Sequence, residues 1–275
     1  VVAASAWSKE TLAIRGALYG EEVLYAGGTQ AYNPGGNIHR TPFAGRNFEY
    51  YSEDSYMVYL CSSVQCKALM EKGVLAGIKH FVANDQETNR WGVATFMNEQ
   101  GFREGPLKGF EGAFTVGGTL TTMGSYNRIG LEPACASYGV LTTVLRGEWG
   151  FTGFTETDSP QGPHMSGTGS LIASGVVAGT DVWMGSVGAN ALDDYKDNAT
   201  VCQALRQATH RNLSIMLGSA AMNGITSSTT TEYVVPGWEK AIIALEIVSG
   251  ILALACLAMV ATSWVLWYRN NRANA

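Results

Sequence analysis

Apolar and polar positions alternate between two rhythms over most of the chain. Residues 9–24 place apolar side chains at helical spacing behind Ser8, a candidate N-cap, and residues 55–72 repeat the pattern. A short strand-like run at 77–82 follows at once. The same order recurs: a helix is predicted over 98–114 before a strand at 118–125, and another over 134–148 before a strand at 151–157. A helix over 170–177 precedes a strand at 181–184, and 198–217 forms a closing helix. Helices in regular alternation with short apolar strands predict an α/β fold built on a parallel sheet or barrel. The polar residues that interrupt the apolar pattern sit at or just beyond the strands: Lys79 and His80, Tyr126 and Asn127, Asp158, and Asp181. In (β/α) barrels the C-terminal strand ends carry the chemistry.

The rhythm stops near residue 218. Residues 219–240, with Ser227, Ser228, Thr229, Thr230 and Thr231 ahead of Pro236 and Gly237, have the composition of a linker. Residues 241–269 are predicted to form a transmembrane helix, because 247–268 contain no charged residue and as a helix would extend about 33 Å, enough to cross roughly 30 Å of hydrocarbon. Trp264, Trp267 and Tyr268 supply an interfacial belt, and Arg269 and Arg272 follow. These basic residues assign 270–275 to a cytoplasmic tail and the preceding domain to the outside of the cell membrane, on a single-pass anchor in the lipid bilayer. The competing reading is a buried core helix, which such runs are usually too long and too uninterrupted to be.

Composition narrows the function. Of 275 residues, 46% are hydrophobic, 10% aromatic and 15% charged, which suits a folded core and excludes a mainly disordered chain. Lys and Arg number 18 against 23 Asp and Glu, so the net charge of −5 has the wrong sign for a nucleic-acid surface. Cys61, Cys66, Cys135, Cys202 and Cys256 show neither paired nor zinc-like spacing. No metal site or disulfide framework is expected, and buried free thiols are. Asn198 and Asn212 open glycosylation sequons by pattern.

Four ordered blocks then carry a resemblance. Residues 45–54 read Gly-Arg-Asn-Phe-Glu-Tyr-Tyr-Ser-Glu-Asp, and 79–90 read Lys-His-Phe-Val-Ala-Asn-Asp-Gln-Glu-Thr-Asn-Arg. Met123, Gly124, Ser125, Tyr126, Asn127, Arg128 and Ile129 form a third block. The fourth runs from Leu145 through Glu148, Trp149, Gly150 and Phe151 to Thr157 and Asp158. Together they resemble the family 3 glycoside hydrolases, the β-glucosidase group, over residues 1–218. The resemblance implies a (β/α)8 TIM-like barrel, truncated at its N-terminal side and followed here by the single transmembrane helix. It also implies retaining hydrolysis of β-linked glucosides or oligosaccharides, and no cofactor.

Residue by residue, the resemblance implies that Asp158 is the nucleophile and that Arg46, Lys79, His80, Tyr126 and Glu49 bind the sugar. Glu87 and Arg90 take supporting roles. The physics agrees: a carboxylate nucleophile must stay ionised, which neighbouring cations favour, and side chains rich in donors and acceptors match sugar hydroxyls. Trp91 and Trp183 are expected to pack rather than to stack on sugar. Retaining chemistry also needs a second carboxyl about 5–5.5 Å from the first. In this family that glutamate usually belongs to a separate α/β sandwich domain, so the acid/base is expected on a segment absent from this chain, as is the opening of the barrel. Ser159 and Pro160 stand where many members have Trp-Gly. The alternative from another class is a catalytically degenerate, membrane-tethered carbohydrate-binding protein, and a third reading is a tethered scaffold alone.

Overall fold

In this computed structural model, which describes residues 1–159, 169–185 and 190–273, helices and strands follow the predicted alternation. The order is α1 (Lys9–Tyr25), β1 (Gln30–Ala31), α2 (Ser55–Glu71), β2 (Leu75–Phe81), β3 (Ala94–Thr95), α3 (Glu99–Phe102), α4 (Lys108–Thr115) and β4 (Thr121–Gly124). Then come β5 (Arg128–Ile129), β6 (Glu132–Pro133), β7 (Phe154–Thr157), α5 (Gly169–Ala178), α6 (Ala199–Leu217) and α7 (Gly237–Ala273). Pro160 and His164 lie outside the described residues.

Polar side chains start the helices. Ser8 accepts from the Thr11 N–H at 3.1 Å ahead of α1, and Asp54 accepts from the Tyr56 and Met57 N–H groups at 2.7 and 2.9 Å ahead of α2. Each satisfies donors that the first helical turn leaves without a carbonyl. The helix predicted over 98–114 is interrupted by a wide π turn at Arg103–Leu107 that contains Pro106. Proline has no N–H for the regular ladder, and the wider turn absorbs it. Gly105 faces open space, so nothing in the packing demands glycine there. Gly109 and Gly112 differ: a Cβ would come within 2.6 Å of the Val58 side chain at the first and 2.3 Å of the Tyr59 carbonyl oxygen at the second, so α4 lies against α2 closely enough to admit only hydrogen.

β1, β2, β4 and β7 form one parallel sheet in that order. The expected closed ring is not present among the described residues: these strands make an open sheet, since closure into a barrel takes about eight tilted strands. The strand expected at 181–184 shrinks to one bridge, Val182 to Glu156, because the Met184 N–H turns to the Thr157 hydroxyl instead of a ladder carbonyl. A small second sheet, β3–β5–β6, was not foreseen; two-residue strands carry no periodicity to read. Phe81 packs edge-on against Phe110, Phe114 and Trp149, and Phe114 against Phe151, so the core lies between β2 and the helices α2 and α4. All five cysteines are free. Cys61, Cys66 and Cys135 are buried as expected, whereas Cys202 and Cys256 are exposed.

The chain divides into two units, Val1–Gly224 and Ile225–Ala275. In the second, α7 is long and apolar enough to cross a membrane by length and composition, with a mean hydropathy of 2.5 over its most apolar window.

Asp181, flagged by its place after a strand, is structural. Its carboxylate is fully buried, accepts from Arg146 and Arg211 at 2.6 Å each and from the Thr155 N–H at 2.8 Å, and so ties the helical turn Gly139–Glu148 and α6 to β7. Burial pushes the Arg146 guanidinium down to about 10 despite Asp181 beside it. Asp181→Ala leaves two guanidinium groups facing each other without their counter-ion, and the loss expected in denaturant unfolding of the full chain in detergent micelles is on the order of 3–5 kcal/mol.

Glu156 is buried on β7, where Gln30 Nε2 donates to it at 2.5 Å and the Tyr32 hydroxyl also donates. Burial pushes its carboxyl up to about 7, against these two hydrogen bonds, with the charge of Asp158 adding to the rise. The folded-state pKa exceeds the ordinary value of 4.5. The stability that depends on this proton is therefore complete below the ordinary value and is lost as pH rises through about 7. Glu156→Gln, which keeps the shape but cannot ionise, is expected to remove a pH-dependent loss on the order of 3 kcal/mol between wild-type unfolding curves at about pH 5 and pH 8. Parallel wild-type and variant profiles would contradict this.

Candidate active site

Two consecutive residues of β2 enter the site. Successive strand side chains normally point to opposite faces, but the pairing register between β2 and β4 shifts between Lys79 and Phe81, and such an irregularity re-aims the chain. Lys79 Nζ lies 2.9 Å from Glu49 Oε1. His80 is held through its backbone by Asn37, which accepts from the His80 N–H at 2.8 Å and donates to its carbonyl oxygen at 3.0 Å.

The segment before α2 brings in the counter-charges. Arg46 precedes the short helical turn Asn47–Glu49, which places Arg46 and Glu49 side by side. Arg46 Nη2 is 2.6 Å from Glu49 Oε2, and Nη1 is 3.8 Å from Glu87 Oε1. Burial alone would raise the Glu49 carboxyl, but Lys79 and Arg46 outweigh it and hold the group below the usual glutamate range. Burial likewise opposes the Arg46 charge, which Tyr50, Glu49 and Glu87 reinforce. Glu49 is therefore the ionised hinge between the two cations.

His80 is 2% exposed. Burial first, then the charges of Arg46, Lys79 and Arg90, drive its pKa well below the ordinary histidine value, so the imidazole is neutral. Arg46 Nη2 lies 3.2 Å from His80 Nε2, and the Tyr50 hydroxyl lies 3.3 Å from Nδ1. Guanidinium only donates, so Nε2 accepts and the proton sits on Nδ1, from which it is donated to Tyr50.

Asp158 follows β7 directly. Its Oδ2 lies 3.6 Å from His80 Nε2. With His80 neutral this is a polar contact rather than an ion pair, and 3.6 Å is beyond hydrogen-bond reach. Oδ1 accepts from the Ser159 N–H at 2.6 Å. The side chain is 17% exposed, so it is fixed yet open to a ligand. Tyr126, beyond β4, donates its hydroxyl to the Ser159 carbonyl oxygen, and burial together with the charge of Asp158 pushes its pKa up to about 12. Arg90 stacks 4.5 Å over the Tyr126 ring and binds Glu87 at 2.8 Å, while Trp91 packs edge-on against the same ring. Trp183 packs on Gly175.

The structure thus brings Arg46, Glu49, Lys79, His80, Tyr126 and Asp158 to one end of the parallel sheet and leaves Asp181 out. Glu87 and Arg90 brace the group. Sequence reasoning missed Glu156, although a lone acid inside the buried strand Phe154–Thr157 was a visible signal. Among the described residues no carboxyl near Asp158 is free to deliver a proton to a leaving group: Glu49 and Glu87 are committed to cations, and Glu156 is sealed under Gln30 and Tyr32.

Comparison with known proteins places this arrangement. Residues 1–217 match the glycosyl hydrolase family 3 N-terminal domain. A beta-glucosidase of Ruminococcus albus is 36% identical over 197 residues, which are 69% of this chain and 21% of that protein. Thermostable beta-glucosidase B of Acetivibrio thermocellus is 37% identical over 155 residues, 56% of this chain and 20% of that protein. Beta-glucosidase 3B from Thermotoga neapolitana, solved in complex with glucose, has a TM-score of 0.73 and 33% identity over 88% of this chain and 34% of its own. The chain spans about a fifth of the length of these curated relatives. It belongs to glycosyl hydrolase family 3, and residues 1–217 correspond to the N-terminal domain of that family.

Proposed function

We propose that this chain carries the sugar-binding and nucleophilic part of a membrane-anchored retaining β-glucosidase. Asp158 attacks the anomeric carbon of a terminal β-glucosyl residue: the bond from a carboxylate oxygen to that carbon forms as the glycosidic C–O bond breaks, and the departing oxygen takes a proton. Water then hydrolyses the glycosyl ester, which restores Asp158. Arg46, Lys79, His80 and Tyr126 hold the hydroxyls of the sugar, and Glu49 fixes both cations. The proton donor comes from the part of the family's length that this chain does not span. The observation that carries the reading is the position of Asp158, whose Oδ2 lies 3.6 Å from His80 Nε2 in a side chain that remains 17% exposed.

With its Nε2 lone pair already accepting from Arg46, a neutral Nδ1-protonated His80 fixes that guanidinium, and the Arg46 and Lys79 cations donate to the oxygens of sugar hydroxyls. Contacts to the 2-hydroxyl that strengthen as oxocarbenium character develops select the transition state over the ground state. The lack of a free proton donor among the described residues favours one second reading, a tethered sugar binder without turnover.

A 2-deoxy-2-fluoro-β-glucoside with a dinitrophenolate leaving group separates the two, because that leaving group departs without a proton and so does not need the missing acid. Mass spectrometry of the full chain in detergent micelles should find the fluoroglucosyl group on Asp158 and none in Asp158→Asn. Lys79→Met should slow labelling by about 10²-fold, as loss of a positioning contact does. Reversible binding without label would favour the tethered binder, and a label on another residue would overturn the assignment of Asp158.

Residues 247–268 are proposed to span the bilayer, with the sugar-binding domain outside the cell. Full chain should remain in the membrane pellet through alkaline carbonate extraction, and chain ended after Ser228 should be released. Release of both would remove the anchor from the account.

A further inference from the structure

Helix α6 turns one face into the domain and leaves the other open. Val201, Ala208 and Ile215 are buried along one line. On the opposite face, as the helical repeat sets it, lie Arg206, His210, Leu213 and Leu217, with Met216 beside them. All five are exposed, Leu213 at 56%, Met216 at 51% and Leu217 at 68%. Residues three and four apart on a helix are neighbours, so the three apolar side chains form one patch over the last turns of α6. With Ile215 buried behind them, that end of the helix is apolar all round. Such a segment is normally covered on every side, yet the domain covers only one.

The charges on the same helix name the kind of surface that fits. α6 contains no acidic residue, in a chain whose net charge is −5. Arg211 is taken by Asp181 at 2.6 Å, whereas Arg206 and His210 meet no carboxylate among the described residues. Apolar side chains bordered by an unpaired guanidinium suit an anionic lipid interface, where the acyl boundary takes leucine and methionine and headgroup phosphates accept from arginine. Such a surface is also within reach. α6 ends at Leu217 and α7 starts at Gly237, and the chain between them extends at most about 70 Å. Tyr233 and Trp238, both exposed, stand at the far end of that stretch and are residue types that favour the membrane interface.

We propose that the open face of α6 lies on the anionic surface of the bilayer, with Leu213, Met216 and Leu217 at the acyl boundary and Arg206 at the headgroup phosphates. The domain is then docked on lipid as well as tethered to it. The choice of lipid as the occupant rests on the reading of residues 247–268 as a span.

Fluorescence quenching of the full chain in nanodiscs tests both. The discs hold phosphatidylcholine with about one-third phosphatidylserine, the anionic lipid that attracts basic segments, and a fraction of the lipid carries a nitroxide high on its acyl chain. In a chain with Cys202→Ser and Cys256→Ser, the apolar fluorophore NBD is attached in turn at Leu217→Cys, at Val260→Cys within the span, and at Tyr25→Cys on α1 as the reference. The label at 217 should lose about half its emission or more, because a docked apolar face sits about 5–10 Å into the headgroup and acyl boundary. The label at 260 should be quenched as well, and the label at 25 should not. Arg206→Gln should lower the ratio of docked to undocked domain about fivefold, the worth of one basic residue at such a surface. Quenching at 260 without quenching at 217 overturns this inference while the span stands, and leaves the face free for another partner. Quenching at 217 without quenching at 260 keeps the docking and overturns the span. Quenching at neither overturns both. Equal quenching at 217 and 25 overturns the assignment to this face, and quenching at 217 that is indifferent to Arg206→Gln and to removal of phosphatidylserine overturns the anionic surface.

Discussion

The site depends on one acid, Glu49, gripping two cations at once. Arg46 and Lys79 come from segments far apart in the sequence, and without a shared counter-ion they would repel each other beside a buried imidazole. Glu49 at 2.6 and 2.9 Å holds both in place. Their combined field, added to burial, keeps His80 neutral. A neutral His80 can sit 3.6 Å from Asp158 without forming an ion pair that would engage the carboxylate. Each later property of the site, from the tautomer of His80 to the accessibility of Asp158, follows from that network.

The sheet serves this arrangement by geometry. Lys79 and His80 reach the same place because the register of β2 against β4 shifts there, and Asp158 arrives from the strand on the far side of β4. The helices behind are fixed by contacts that tolerate no side chain, at Gly109 and Gly112, and by the buried Asp181 with its two arginines. Beneath Asp158 the protonated form of Glu156 is favoured by burial. The sheet thus keeps a second negative charge away from the one that the proposed reaction needs.

The sequence made much of this visible, for reasons that differ by residue. Long amphipathic helices announce themselves through apolar spacing and caps such as Ser8, and α1, α2 and α6 end within about two residues of expectation. The two-residue strands β1, β3, β5 and β6 have no pattern to read, and the run at 181–184 read as a strand became a single bridge because the Met184 N–H turns to the Thr157 hydroxyl instead of a ladder carbonyl. Arg46, Lys79, His80, Tyr126 and Asp158 stood out through motif resemblance, and the structure brings them together. Asp181 shared their position after an apolar run but faces the helices instead, a distinction of strand face that no linear motif records. Glu156 was overlooked because burial, not identity, makes it unusual.

The protonation of His80 is the most direct test of the account. Selective 15N labelling of the histidines in the full chain, with His80 assigned by His80→Gln, reports tautomer and charge in one NMR titration. The structure predicts a neutral ring with its proton on Nδ1 at pH 6.5, where an ordinary histidine is half charged, and above it. Titration near the ordinary value of 6.5, or a proton resident on Nε2, would contradict it.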